Sequence, residues 1–161
     1  MSSIKILVRI DPEYSAYHEV DGPIEMGKRF LFTEDLVLEE YDDSTPGNGL
    51  PVNPDDRLAG THSGEVTLVR VTQPGDRFFP LPSLLFQYES TYKFNTLDDT
   101  PLQKGQVTAH GVFLIDNVDD WNNLERPRFA ITGGTGPYNT AHGKVTEGVP
   151  TPESKLLDIE L

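Results

Sequence analysis

The chain has 161 residues, and its 26 acidic against 13 basic residues give a formal net charge of −13. This length fits a single domain, residues 1–161, with one apolar core. The negative charge would repel a phosphate backbone or an anionic membrane surface, so neither nucleic acid nor a membrane is an expected partner. The chain has no cysteine, which excludes disulfides, thiolate metal sites and a cysteine nucleophile.

The start of the chain has no basic segment followed by a long apolar one, and no uncharged apolar run approaches the roughly 20 residues of a membrane span. We therefore expect a cytoplasmic protein. The 14 glycines, 13 prolines, eight phenylalanines and six tyrosines favour many short strands separated by turns. The composition predicts an all-β protein.

Strands are predicted from apolar residues that alternate with polar ones. Ile4 to Ile10 shows this pattern, residues 11–27 show no clear periodicity, and Arg29 to Tyr41 predicts a second strand with a kink near Glu34. The later predicted strands are at residues 62–72, 86–95, 107–116, 129–132, 138–146 and 157–161. Eight strands without a helix favour a closed antiparallel β-barrel over a sandwich, because closure removes exposed edges.

The clearest strand places an aromatic stripe on one face. Its members are Phe86, Tyr88, Ser90, Tyr92 and Phe94. Plain core packing explains this stripe, and so does the wall of a pocket that holds a polyene or an enone. In the second interpretation Tyr88 or Tyr92 donates a hydrogen bond to a carbonyl as charge develops on it. The facing strand offers small residues beside Phe113, which favours a cavity.

Several segments in the second half of the chain resemble plant allene oxide cyclases. They are Tyr88 to Phe94, Gly111 to Phe113, Ala130 to Tyr138 and Ala141 to Val145. Those cyclases have a similar Tyr-Glu-Ala-Thr-Tyr strand, a Thr-Gly-Gly-Ser-Gly turn and an Ala-Tyr-Gly stretch, and the glycine turn also resembles dirigent proteins. The resemblance covers residues 28–147 and implies a calycin-like, eight-stranded barrel with an internal apolar pocket.

The resemblance also assigns candidate site residues. Val66 stands where the plant enzymes have a pocket cysteine, and Glu34 stands where they have an asparagine that helps to hold a water. Glu19 belongs to a loose counterpart of their Glu-Ile-Asn segment. A buried Glu34 or Glu19 would serve as a general base or charge stabiliser, whereas a solvated carboxylate would have no such role.

Residues 42–58 and 117–128 are predicted as long loops, and the second contains the only tryptophan, Trp121. Trp121 is interpreted as a hydrophobic plug or as part of a lid over a substrate. The candidate catalytic residues are thus Tyr88, Tyr92 and Glu34. The candidate substrate-binding residues are Phe86, Phe94, Val66, Phe113, Trp121 and Glu19.

The four histidines are not at metal-ligand spacing, and the sequence has no phosphate-binding glycine loop or dinucleotide fingerprint, so neither a metal nor another cofactor is expected. The superfamily of the allene oxide cyclases includes bacterial cyclases and Diels–Alderases. We therefore expect a cofactor-free cyclase that closes a ring in an apolar, unsaturated polyketide intermediate, for example by [4+2] cycloaddition. A lipocalin-like carrier and a dirigent-type module that steers radical coupling are the alternatives. The resemblance also makes a homodimer or homotrimer plausible.

Overall fold

The computed structural model describes residues 3–20, 22–23, 25–42, 50–51, 58–71, 83–116, 127–148 and 153–161. Its strands are β1 (Ser3–Glu19), β2 (Arg29–Asp42), β3 (Leu50–Pro51), β4 (Leu58–Val71), β5 (Ser83–Phe94), β6 (Gly105–Asp116), β7 (Arg128–Thr135), β8 (His142–Glu147) and β9 (Ser154–Glu160). Between β7 and β8 lies a 3-10 turn, Gly136–Tyr138. No helix in this part of the chain is long and apolar enough to cross a membrane.

Eight of the strands form a closed antiparallel barrel. The hydrogen-bonded order is β1-β9-β8-β7-β6-β5-β4-β2, and β1 pairs with β2 to close the ring. The short β3 is an extra strand on β2, where it pairs with Glu40 and Tyr41. The predicted all-β, eight-stranded antiparallel barrel is therefore confirmed.

The first strand is longer than its sequence pattern predicts. β1 continues to Glu19, and its second half pairs with residues 30–34 of β2 although it follows no apolar alternation. The pairing register shifts between Ile10 and Ser15, which interrupts the period of two on which the prediction relies. The side chains of residues 15–19 are exposed, so burial imposes no pattern on them.

The sequence pattern predicts a turn at the glycine-rich residues 133–136, between the predicted strands 129–132 and 138–146, but the turn lies later in the chain. β7 continues through Gly133 and Gly134 to Thr135, and the chain reverses at residues 136–141. Tyr138 belongs to the 3-10 turn instead of opening the last strand but one. Its hydroxyl accepts a hydrogen bond from the backbone N–H of Gln103 and lies 3.2 Å from the carbonyl oxygen of the same residue. This contact ties the turn to the connection between β5 and β6.

The barrel interior is solid at one end. The side chains that fill this end are Ile4, Ile6, Leu36, Leu38, Phe94, Leu102, Tyr138 and Ile159. The aromatic stripe predicted on β5 does point inward, and all five members are buried. Burial of such side chains is worth roughly 1.5–3 kcal/mol each, so this end contributes substantially to the stability of the fold.

One close backbone approach in the barrel wall requires glycine. Gly143 on β8 has φ of +129°, and a Cβ atom there would lie 2.0 Å from the carbonyl oxygen of Asp158 on β9. Gly133 on β7 has a similar φ of +145°, but a Cβ atom there would meet no atom within 4 Å.

We expect Gly143→Ala to destabilise the protein by about 3 kcal/mol and Gly133→Ala by about 1 kcal/mol. The two substitutions share the cost of a left-handed backbone, so their difference isolates the close contact with Asp158. Urea unfolding of the two variants and the parent measures it. Equal losses would show that β8 and β9 separate easily at this point.

Candidate active site

A cavity of about 290 Å³ opens at the end of the barrel opposite the solid core. Its lining residues are Tyr17, Phe32, Glu34, His62, Val66, Tyr88, Phe113, Pro127, Phe129, Glu147 and Lys155. Apolar rings and Val66 form most of the walls, whereas the ionisable side chains come from β2, β4, β5, β8 and β9. The cavity therefore has mostly apolar walls and one polar region, where the ionisable side chains lie.

His62 is the centre of a hydrogen-bonded chain across β2, β4 and β5. Its Nδ1 atom lies 2.6 Å from Oε1 of Glu34, and its Nε2 atom lies 2.7 Å from the hydroxyl of Tyr88. Strand pairing explains the first contact, because Glu34 and His62 are directly opposite each other. Both ring nitrogens of His62 are thus occupied, and the imidazole has a fixed orientation.

Glu147 and Lys155 extend this chain across the barrel interior. The hydroxyl of Tyr88 lies 2.9 Å from Oε1 of Glu147, within hydrogen-bonding distance. Lys155, the pairing partner of Glu147, donates to the same oxygen at 3.1 Å and lies 3.2 Å from Oε1 of Glu34. The five side chains form a closed ring of contacts, which we call the polar ring: Glu34, His62, Tyr88, Glu147 and Lys155.

Burial and neighbouring charges set the protonation of the polar ring. Burial lowers the pKa of His62, and although the hydrogen bond to Glu34 acts in the opposite direction, the net pKa stays below its ordinary value. Burial raises the pKa of Glu34, but the hydrogen bond with His62 and the charge of Lys155 outweigh it and leave the pKa lowered. Burial, with Tyr92 and Glu147 nearby, raises the pKa of Tyr88 well above its ordinary value. Tyr88 is therefore a neutral hydroxyl that can donate a hydrogen bond.

Aromatic rings hold the polar ring in place. Tyr92 stacks on His62 with ring centroids 4.0 Å apart, and Phe129 stacks on Tyr88 at 3.8 Å. Phe32 lies against both His62 and Tyr88. This packing restricts the rotamers of the histidine and the tyrosine, so their polar atoms have little freedom.

Four of the residues predicted from sequence meet at this cavity: Tyr88, Glu34, Val66 and Phe113. Tyr92 is fully buried behind His62 and does not line it. Its hydroxyl and that of Ser90 have no hydrogen-bonding partner among the described residues.

The other predicted residues lie away from the cavity or cannot be placed. Phe86 packs with Leu68 in a separate small cluster, and Phe94 belongs to the solid end of the barrel. Glu19 has a half-exposed side chain that pairs with Lys28 at 3.1 Å. Trp121 lies outside the described residues.

Three members of the polar ring were missed by the sequence analysis. His62 lies an even number of residues from Val66 and Leu68 on β4, and Lys155 lies two residues from Leu157 on β9, so both point to the inward, apolar face of their strand. A polar residue on an apolar face is unusual, and this pattern in the sequence could have identified both residues as site candidates. Glu147 gave a weaker signal, since the bounds of β8 were not predictable to the residue. Among the described residues, no group of three His, Asp or Glu side chains is arranged to hold a metal ion.

Several solved structures have a fold similar to that of this chain, among them the following two. "Pyocyanin demethylase" superimposes with a TM-score of 0.55 at 22% identity, over 98% of this chain and 98% of that one. The second is described as "A nonspecific heme-binding cyclase catalyzes [4 + 2] cycloaddition during neoabyssomicin biosynthesis". It has a TM-score of 0.52 at 15% identity, over 99% of this chain and 64% of that one.

These similarities are too distant in sequence to show more than the fold. Both neighbours are enzymes by their descriptions, and one is a cyclase. No protein-family model matches this chain, and no curated protein shows significant sequence similarity to it. The resemblance to allene oxide cyclases therefore remains a prediction.

Lys155 is expected to be the main electrostatic support of the polar ring. Lys155→Met leaves the carboxylates of Glu34 and Glu147 buried without their shared cation, which should cost about 3–5 kcal/mol of unfolding free energy. Lys93→Met on the exposed face of β5 is the matched control, and we expect it to change stability by less than about 0.5 kcal/mol. Urea unfolding at neutral pH compares the two, and similar losses would contradict this role of Lys155.

The lowered pKa of Glu34 predicts a loss of stability in acid. A carboxylate whose pKa is lower in the folded state stabilises the protein above its unfolded pKa of about 4.3, and this contribution disappears as the pH falls through the folded value. Glu34→Gln should therefore lose less stability than the parent between pH 5 and pH 3 in urea titrations. Glu89→Gln, on the exposed face of β5, should follow the parent curve. Parallel curves for Glu34→Gln and the parent would refute the prediction.

Proposed function

We propose that the cavity is the active site of a cyclase that closes a ring within a compact, apolar, unsaturated substrate. The carrying observation is a neutral tyrosine hydroxyl, Tyr88, fixed at an aromatic-walled cavity by His62 and Glu147. The proposed reaction is an intramolecular [4+2] cycloaddition of a polyketide-like polyene that carries an activating carbonyl. The cyclase among the structural neighbours supports this reaction class.

The cavity walls supply the conformational control that ring closure needs. Phe32, Phe113 and Phe129 present flat apolar surfaces that fold a polyene over itself while they exclude water. A cavity that holds the diene and the dienophile in contact reduces the entropic cost of bringing them together, which lowers the activation free energy by several kcal/mol. At about 290 Å³, the space bounded by the described residues lies at the lower end of ligand-pocket volumes, so it suits a compact folded substrate.

Tyr88 supplies the electronic part of the proposal. When a substrate binds, the single hydroxyl proton of Tyr88 turns from its contact in the polar ring to the carbonyl of the dienophile, while Lys155 continues to donate to Glu147. This new hydrogen bond withdraws electron density from the reacting double bond. It strengthens as negative charge grows on the oxygen, so it favours the transition state over the bound substrate. His62 and Glu147 hold the hydroxyl oxygen in place and are positioning residues in this reaction.

The haem named for the cyclase neighbour does not fit His62, the one histidine among the described residues that line this cavity. His62 is 1% exposed, and Glu34 and Tyr88 occupy its two ring nitrogens, so it presents no free nitrogen to an iron. Ring closure therefore depends on the shape of the cavity and on Tyr88, and no step depends on haem.

The alternative function is that of a carrier, because a cavity with apolar walls can also bind such a ligand without changing it. A carrier would return the ligand unchanged, and a dirigent-type module would need an external oxidase to generate radicals. Incubation of purified protein with linear polyenes that carry an enone, followed by chiral chromatography of the products, separates the three. Recovery of the unchanged ligand from every incubation, with or without an oxidase, would refute the cyclase proposal.

For a substrate that is cyclised, Tyr88→Phe should lower kcat about 10-fold to 1000-fold, because one hydrogen bond to developing charge is lost. The substitution also leaves two buried partners with one contact fewer, so about 1–3 kcal/mol of stability should be lost as well. Tyr92→Phe is the comparison, since it removes a buried hydroxyl that does not line the cavity, and kcat should change less than about threefold. Equal effects of the two substitutions would place the catalytic hydroxyl elsewhere.

A further inference from the structure

The hydrogen bonds of the polar ring require one proton more than the ordinary forms of its groups provide. Three contacts run in series from Glu34 to His62, from His62 to Tyr88 and from Tyr88 to Glu147, and each needs its own proton. A neutral imidazole and a tyrosine hydroxyl supply two protons, and ionised carboxylates supply none. The three distances, 2.6, 2.7 and 2.9 Å, are all within the range of hydrogen bonds, so each contact must contain a proton.

The same count explains how the charges balance. With two carboxylates and the ammonium group of Lys155, the ring would carry a net charge of −1 in the barrel interior. The third proton makes it neutral, which is what burial favours for groups with so little solvent. Geometry and charge therefore agree on three protons among Glu34, His62, Tyr88 and Glu147.

Two arrangements of these protons satisfy every contact and leave Glu34 ionised beside Lys155. In the first, Glu147 is a carboxylic acid that donates to Tyr88, Tyr88 donates to Nε2 of His62, and Nδ1 of His62 donates to Glu34. In the second, His62 is an imidazolium that donates to Glu34 and Tyr88, and Tyr88 donates to Glu147. Moving one proton across each of two hydrogen bonds interconverts them. The lowered pKa of His62 favours the first arrangement in the resting protein.

We propose that His62, Tyr88 and Glu147 form a proton relay across the barrel, and that the cavity also catalyses keto–enol tautomerisation of compact aromatic or cyclic ketones. Tyr88 and Glu147 line the cavity, and aromatic rings surround them, so a flat carbonyl compound can meet both. They would be the catalytic residues, whereas His62 and Glu34 would act through them. This activity is separate from ring closure and uses the same cavity.

The relay balances the reaction without a co-reactant. From the first arrangement, the carboxylic acid of Glu147 gives its proton to the carbon of a bound enol, whose C=C electron pair forms the new C–H bond. The enol O–H bond breaks, its electron pair forms the C=O bond, and its proton passes to the oxygen of Tyr88. The former proton of Tyr88 moves to Nε2 of His62. The product is a ketone, the protein is left in the second arrangement, and the relay returns to the first in the empty cavity.

Run in reverse, the same steps remove an α-hydrogen, so the activity is measurable as isotope exchange. We would incubate the protein with 2-tetralone in deuterium oxide and follow loss of the α-proton signals by NMR. The expected result is exchange at least 10-fold faster than in buffer. Glu147→Gln, which cannot transfer a proton, should reduce the protein-dependent rate at least 100-fold, and Tyr88→Phe at least 10-fold. Glu89→Gln, on the exposed face of the strand that carries Tyr88, should stay within twofold of the parent.

A second measurement needs no variant and reports the relay directly. Nitrogen-15 NMR of the histidines in the parent protein at neutral pH should show His62 with its proton on Nδ1 and with Nε2 as a hydrogen-bond acceptor. His62 with a bare Nδ1 would overturn the relay, and so would unaccelerated exchange of 2-tetralone by the folded parent. A protein that cyclises a polyene but exchanges no α-hydrogen would overturn this proposal alone. Exchange without ring closure of any polyene would overturn only the proposed cyclase function.

Discussion

The structure depends on the compensation of charge inside a closed barrel. Lys155, which is 6% exposed, is stable in such a place only because the carboxyl groups of Glu34 and Glu147 accept its hydrogen bonds. Those two groups are in turn stable there only because the lysine lies between them. His62 and Tyr88 complete the contacts that Lys155 leaves open. None of the five groups could be replaced alone by an apolar residue without leaving a buried partner unsatisfied, so they form one unit.

Barrel closure makes this unit possible. β2 and β4 bring Glu34 and His62 together by direct pairing, and β8 and β9 do the same for Glu147 and Lys155. The two pairs meet across the interior through Tyr88 on β5. In an open sheet the strands that carry Tyr88 and Glu147 would be separated by the strands between them, and the contact of 2.9 Å would not form. The fold thus determines the chemistry of the cavity by determining which faces oppose each other.

Sequence reasoning predicted the fold because the alternation of apolar and polar residues is local. The inward face of β5, the short final strand and the absence of an α-helix from the described part of the chain follow from that pattern. The second half of β1 was missed because the register shift between Ile10 and Ser15 breaks the alternation and because exposed side chains there carry no burial signal. This register shift, a β-bulge, arises from the pairing of β1 with β2, and no short stretch of the sequence indicates that pairing.

The site was only partly predictable for a related reason. Tyr88 and Glu34 were candidates on chemical grounds, but the choice between Tyr88 and Tyr92 depends on depth along the barrel axis. Tyr88 and Tyr92 lie four residues apart on β5, so their side chains point to the same face of the strand. The alternation of apolar and polar residues therefore cannot show that Tyr88 lines the cavity and that Tyr92 packs against His62. Lys155 and Glu147 become meaningful only when the register of β8 and β9 is known. Their sequence neighbours gave no reason to pair them across the barrel with a tyrosine.

The solid end of the barrel has a kinetic consequence. Among the described residues, Leu38, Phe94 and Tyr138 fill the far side of the interior, so a ligand in the cavity cannot leave through that end and is expected to enter and leave on the cavity side. A molecule formed in the cavity must depart before the next can enter, so product and substrate compete for one form of the protein. Any turnover in this cavity should slow as product accumulates, in the manner of competitive inhibition. Whatever process removes the product would then govern the flux through the protein as much as the chemical step does.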